Sequence, residues 1–396
     1  MPNPEISLCL SGGGYRAALF HLGAVRWLND AGLLPDVTTV SCVSGGSILG
    51  AHLAMRLRPW PTEPLPAAEW TERVEAPFRA FVKNDIRTGP TLSRLLPHNW
   101  FRSWATVEAI RRKYATLLLH GNDPPLAELP ESPHFIFCAT DMVFGVSWEA
   151  SVTRVGSWEA GYAMPPPEQW TVARAVAASS CFPPVFAPAK AALEPSEFNR
   201  KGAYGEPDRD RQLSRLRLTD GGVYDNLGLQ PVMRDEAVLV SDGGGSMKFV
   251  ALDLPWRRLA RYPALLQNGI GKLRKSWLIM DYGRDADDPS RKQGTYWGIA
   301  DPTDDGPPVQ QDPTVRTIAG IRTDLNGFTD GEVDILVNHG YSRAATKVRD
   351  KAPQLVGAAS DDEPPHAGWD DPGRVRRALR HSAKRHVPFR ARRSRA

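Results

Sequence analysis

Cysteine is scarce in this chain of 396 residues, with only four, at positions 9, 42, 138 and 181. Their spacing fits neither a zinc site nor a disulfide framework, so reduced, buried thiols are expected. No stretch reads as a bilayer span. The uncharged run 37–55 has the length, but its threonines, serines, glycines and histidine make it a poor one. The opening Met1-Pro2-Asn3-Pro4-Glu5 lacks the basic start of a signal peptide, and no internal repeat or heptad pattern is present. These absences exclude repeat, coiled-coil and integral-membrane classes. They point to a cytoplasmic protein, with export by a signal-less route left open.

Apolar residues make up 41% of the chain, enough to bury one large core carrying insertions. Charge is unevenly spread. The net charge is +4, yet residues 374–396 contain ten Lys or Arg and no acid, so the rest of the chain carries −6. An acidic, proline-bearing stretch at 360–372 precedes them. A linker and flexible tail over 356–396 are therefore expected, suited to anionic lipid at about 1 kcal/mol per basic residue near such a surface. Specific nucleic-acid binding is not expected, because aromatic residues are nearly absent from the tail.

Ile6-Ser7-Leu8-Cys9-Leu10 reads as a short buried strand, and Tyr15 to Ala31 as a helix closed by Gly32. Between them, Ser11-Gly12-Gly13-Gly14 forms a strand-to-helix turn. Without Cβ atoms it can aim backbone N–H groups at one spot, where the helix N-terminus adds positive charge. Such a spot holds an oxyanion or a phosphate. A second turn repeats the plan: the strand-like Val37-Thr38-Thr39-Val40-Ser41-Cys42 leads through Val43-Ser44-Gly45-Gly46 into a helix. Ser44 sits at the bend, as a nucleophile elbow requires. A third strand, Leu216-Arg217-Leu218-Thr219, delivers Asp220 into Gly221-Gly222.

In this order, the glycine loop, serine elbow and Asp-Gly-Gly string resemble the patatin-like phospholipase family, related to the cytosolic phospholipase A2 catalytic domain. The run 135–142 resembles the family's central strand, and 173–183 its helix entering a proline turn; the resemblance covers about residues 5–56 and 134–250. It implies an α/β fold: a mostly parallel central sheet with helices on both faces, a patatin-like three-layer sandwich. It also implies a Ser44–Asp220 dyad, with Ser44 as nucleophile and Asp220 as general base, and Gly12, Gly13 and Gly14 as the oxyanion loop. Arg16 would support the loop or meet a lipid phosphate. The implied activity is that of a serine acyl-ester hydrolase, phospholipase A or lysophospholipase in type, on phospholipid or lysophospholipid. It would need no metal or other cofactor and would make peripheral membrane contact. Two positions depart from the family pattern, Ala17 and Cys42, which stand where glycines are usual.

Other readings are open at this stage. Asp242-Gly243-Gly244 is a second candidate base, and His21 and His52 lie within the two motif helices. Gly12-x-Gly14-x-x-Ala17 also satisfies a dinucleotide fingerprint, although Ser44 occupies the place of the ribose-binding acid. A non-catalytic lipid- or partner-binding module would keep the fold alone. The organisation expected is a catalytic domain over 1–355 with a helical cap insertion at about 58–131. The cap aromatics Trp70, Phe78, Phe81, Trp100, Phe101 and Trp104 are candidates for an acyl groove. Beyond Val250, a helix over 256–280, a polar loop over 285–313 and a final core helix over 333–349 are expected.

Overall fold

The computed structural model describes residues 5–384 apart from 94–104, 184, 206, 246–254, 286, 302–311 and 357–361. Strand β1 (Ile6–Leu10) leads through the glycine turn into helix α1 (Gly14–Asp30), and β2 (Val37–Val43) leads through Ser44 into α2 (Gly45–Arg56). Then come β3 (His134–Asp141), β4 (Val146–Ser151), β5 (Val155–Ser157) and β6 (Gly161–Ala163). Helix α3 (Val172–Ser179) precedes β7 (Ala189–Lys190), β8 (Arg200–Lys201), β9 (Arg217–Asp220) and β10 (Ala237–Asp242). Last are α4 (Pro255–Tyr282), β11 (Gln293–Gly298), α5 (Asp330–Lys351) and α6 (Pro372–Ala378).

The sheet runs β11-β10-β1-β2-β3-β4-β5-β6-β8. Strands β11, β10, β1, β2 and β3 are parallel, and an antiparallel extension follows from β4. The strand period of two sorts side chains to two faces. Leu8 and Leu10 of β1 join the large core with α1, α2 and α5, whereas Cys9 points the other way, packing with Val238, Val240 and Leu278 of α4. The expected mostly parallel α/β sandwich is thus the observed one.

One join decides where the site forms. Strand β2 pairs with β3 only as far as Val43 opposite Cys138, and β9 takes over the same edge with Asp220 opposite Ala139. Because β2 is parallel to β3 and β9 antiparallel, the two meet end to end. Ser44 and Asp220 leave their strands at this meeting point.

Helix α1 crosses α5 at two glycines. A Cβ on Gly23 would lie 1.9 Å from the Val337 carbonyl oxygen, and one on Gly340 would lie 1.8 Å from that of Phe20. Helix α5 begins with a capping box between Thr329 and Glu332.

Several expectations change. Residues 293–298, in the expected loop over 285–313, form edge strand β11, whose register with β10 gives Thr295, Tyr296 and Trp297 partners that local pattern does not reveal. The cap aromatics Trp70, Phe78 and Phe81 do not line a groove: all three are buried, with Phe81 edge-on to Tyr15 of α1. Trp100, Phe101 and Trp104 lie outside the described residues. The first part of the expected flexible tail is docked. Val375 and Leu379 are buried, and the Ser382 carbonyl accepts the Arg322 N–H at 2.9 Å.

Replacing Gly340 by Ala is expected to destabilise the chain by about 2–3 kcal/mol, because the added methyl must separate two packed helices. Urea unfolding of the variant against the parent measures this, and an unchanged midpoint would refute the tight crossing.

Candidate active site

Ser44 has φ 50° and ψ −109°, a left-handed conformation rare for a residue with a side chain. The strain is held by Ser179, at the end of α3. Its hydroxyl accepts the Ser44 N–H at 2.9 Å and donates to the Cys138 carbonyl at 2.5 Å. That leaves Ser47, 2.8 Å away, as a second donor to Ser179 Oγ, which is then fully used. The Ser179 carbonyl accepts the N–H of Gly221, the residue after Asp220, at 3.2 Å. One buried serine therefore ties together the elbow, the β3 edge and the aspartate turn.

The glycines after Ser44 are required by close approach. A Cβ on Gly45 would fall 2.3 Å from the Gly14 carbonyl oxygen, and one on Gly46 would fall 2.1 Å from that of Leu10. Cys42 faces no such demand. It is a buried residue of β2 without a positive φ, so the family glycine is dispensable there.

Asp220 is 2% exposed. Its Oδ1 accepts the Gly222 N–H at 2.8 Å, whereas Oδ2 is buried with no hydrogen-bond partner among the described residues. Burial raises its pKa to about 7, while the Ser44 hydroxyl and the Gly222 N–H act in the opposite direction. Ser44 thus interacts with the carboxylate from outside full hydrogen-bonding geometry, an arrangement common in unliganded sites.

The glycine loop differs in one respect from expectation. The Gly12 N–H donates to the Asn226 carbonyl at 3.0 Å and is already committed to holding the loop. Gly13 (φ 144°) and Gly14 (φ 60°) have N–H groups without an acceptor among the described residues. They sit at the positive end of α1, beside that of α2. The Asn226 side chain fills the space next to them: its Oδ1 would be 2.4 Å from a Cβ on either Gly12 or Gly222.

Arg16 is buried and spends its donors on main-chain carbonyls. Nε and Nη2 bond Gly243 at 3.3 and 2.9 Å, and Nη1 bonds Ala319 and Ile321 at 2.8 and 2.9 Å. Burial pushes its pKa down to about 10, so the cation persists at neutral pH. These bonds tie the start of α1 to the main chain at Gly243, Ala319 and Ile321.

The rival bases each have hydrogen-bond partners, Asp242 within the same cavity. Asp242 accepts the Gly244 N–H at 2.7 Å and the Tyr296 hydroxyl at 2.6 Å. His21 sits between Ser241 Oγ (2.7 Å) and the Ser11 carbonyl (3.0 Å), and burial lowers its pKa to about 4. His52 bonds the Val74 carbonyl at 2.8 Å, and burial lowers its pKa to about 3. Both are neutral packing residues, and no histidine lines the cavity among the described residues.

Ser44, Asp220 and the glycine loop open into a cavity of about 700 Å³. Phe182, Val185, Phe186 and Leu227 give it an apolar wall, and Arg87, Lys272 and Lys275 a basic one. Its roof is α4, through Gln267, Gly271 and Lys275. The segment 58–131 contributes Arg87 alone among its described residues. No group of three or more His, Cys, Asp or Glu among the described residues is placed to hold a metal ion. None of the described helices is long and apolar enough to cross a membrane. Ser179 and the placement of Asn226 were not foreseen as functional; a serine ending an alanine-rich helix carries no pattern of its own.

A family model described as patatin-like phospholipase matches residues 8–233, more than half of the chain. Among solved structures, human GIVD cytosolic phospholipase A2 superposes with a TM-score of 0.48 at 15% identity, covering 96% of this chain and 63% of that one. Its complex with methyl gamma-linolenyl fluorophosphonate gives 0.47 at 15% identity, covering 96% and 59%. VipD from Legionella pneumophila gives 0.36 at 13% identity, covering 87% and 66%. The chain thus spans less than two thirds of the length of each. No curated protein matches it.

Holding Asp220 ionised in the fold costs about 4 kcal/mol relative to an aspartate with its ordinary pKa. The sign follows from the raised value: the native state binds the proton more tightly, so this stability is present at low pH and lost as pH climbs towards 7. Asp220→Asn should therefore gain stability over the parent between pH 5 and 8, by about 3 kcal/mol across that window. Urea unfolding at both pH values tests this; a gap independent of pH would show that Asp220 does not titrate in the buried setting.

Proposed function

This chain belongs to the patatin-like phospholipase family, and from that premise we propose that it is a serine acyl-ester hydrolase acting on phospholipid or lysophospholipid. The observation that carries the reading is the buried Asp220 carboxylate beside a strained Ser44, with an Oδ2 that has no hydrogen-bond partner among the described residues. A hydroxyl is a poor nucleophile until a base takes its proton, and a carboxylate with a pKa near 7 is a much better base than an ordinary aspartate.

In the proposed cycle, Ser44 Oγ attacks the ester carbonyl carbon and its proton passes to Asp220. The carbonyl oxygen becomes an oxyanion, received by the free N–H groups of Gly13 and Gly14, each worth about 3 kcal/mol when well placed. Collapse of this intermediate expels the alcohol half of the lipid, which takes the proton from Asp220, and leaves an acyl group on Ser44. Water repeats the sequence: Asp220 removes its proton, the acyl–oxygen bond breaks, and Ser44 recovers its hydrogen. Arg16 holds the loop throughout, and its buried positive charge favours the oxyanion. The wall of Phe182, Phe186 and Leu227 suits an acyl chain; Lys272 suits an anionic head group.

A fluorophosphonate probe should label Ser44 and nothing else, as mapped by mass spectrometry, and Ser44→Ala should abolish labelling and turnover. Labelling elsewhere, or equal rates for both proteins, would remove Ser44 from this role. Asp220→Asn should lower kcat/KM on a soluble ester by at least about 10³-fold, while Asp242→Asn should retain most activity. Because the base works deprotonated, kcat/KM should fall about tenfold per pH unit below 7 and level off above it. A profile with its acidic limb near pH 4 would contradict the raised Asp220 value.

A further inference from the structure

Helix α4 has two unlike faces. The inner one closes the cavity: Gln267 Nε2 donates to the Gly222 carbonyl at 2.5 Å, Arg274 reaches Gln230 at 3.1 Å, Lys275 pairs with Asp301 at 3.3 Å, and Leu278 is buried. The outer one is a row of large apolar side chains turned to solvent. Tyr262, Leu266, Ile270, Leu273, Trp277 and Met280 recur every three or four residues, each between 41% and 69% exposed. That spacing makes one continuous stripe over about five turns. Scattered apolar residues on a surface need no explanation, but an aligned stripe of this length marks an interaction face.

The helix also declares what it would meet. Between Pro255 and Met280 its sequence holds six Lys or Arg and no acid, with Asp281 the first carboxylate; Arg274 and Lys275 pair inward with Asp225 and Asp301, which leaves the other four as the cations a surface could meet. Lys272, exposed at the rim of the cavity, has no carboxylate partner among the described residues. A basic amphipathic helix with a tryptophan and a tyrosine in its apolar row is built to lie in a lipid–water interface, where anionic head groups meet the cations and the row enters the acyl boundary. We propose that α4 docks on an anionic membrane surface through this stripe, bringing the rim of the cavity, with Lys272, against the bilayer. The choice of a lipid surface over another macromolecule rests on the hydrolase reading above, because a phospholipid substrate resides there.

The test uses the full chain carrying Ser44→Ala, which leaves vesicles intact, beside the same chain with Leu266→Glu and Leu273→Glu added. Neither leucine lines the cavity. Vesicles of phosphatidylcholine and phosphatidylglycerol in equal parts should bring down the first protein, and the double change should weaken that binding at least about tenfold. Pure phosphatidylcholine vesicles or high salt should weaken it as well. Equal binding by the two proteins would overturn the proposal. So would a parent that forms dimers, loses them on the double change and ignores vesicles, an outcome that assigns the stripe to a second copy of the chain. With Ser44 restored, hydrolysis of p-nitrophenyl butyrate should be the same with and without the leucine changes, which shows that the fold and site survive them. If neither protein hydrolyses that ester, the hydrolase reading fails, while the vesicle comparison still decides whether α4 docks.

Discussion

The site depends on the shared edge of β3. A strand edge ordinarily accepts one neighbour along its length, but here β2 ends at Val43 and β9, running the opposite way, ends at Asp220. Two chain ends are thereby brought together in the interior, where neither solvent nor a long side chain has to bridge them. Main-chain pairing sets their separation. Ser179 then fixes the turn on each side, through its hydroxyl for Ser44 and its carbonyl for Gly221.

Such a junction is expensive in ways the rest of the fold has to offset. A left-handed serine, a desolvated carboxylate and a buried guanidinium without a carboxylate in direct contact among the described residues each oppose folding. Compensation comes from close packing on the α1 and α5 side of the sheet and from hydrogen bonds that use Arg16's donors on carbonyls. Placing unfavourable groups together at the carboxyl ends of strands, over a rigid sheet, is how a fold keeps reactive groups underused until a ligand supplies the missing partner.

Local turn chemistry made much of this legible in the sequence. Glycines at 12–14, a serine at 44 ahead of Gly45 and Gly46, and Asp220 before two further glycines all lie at strand ends, and strand ends are what hydrophobic runs mark. The limits were equally physical. Whether the Gly12 N–H was free depended on the carbonyl of Asn226, more than two hundred residues away. That Cys42 could stand for glycine depended on its φ, which no spacing reports. The roof of the cavity was expected from 58–131, where aromatics are dense, but those described turned inward to the core. Helix α4, read simply as helical and basic, supplies the roof because its inner residues find partners in Gly222, Gln230 and Asp301. The docking of Val375 and Leu379 was hidden by the surrounding arginines, which dominate the composition there.

The bonds made by Arg16 and Tyr15 carry a consequence about time. Arg16 is tied to the carbonyls of Ala319 and Ile321, and the Tyr15 N–H donates to that of Asp324 at 3.2 Å. The first loop of the site is thus braced by a segment that leaves the ribosome some three hundred residues later. Before that segment has been made, the loop has its bonds to Asn226 and Gly243 but lacks those to Ala319, Ile321 and Asp324. The full set of bonds around the loop therefore forms only when the last part of the chain has been made and packed.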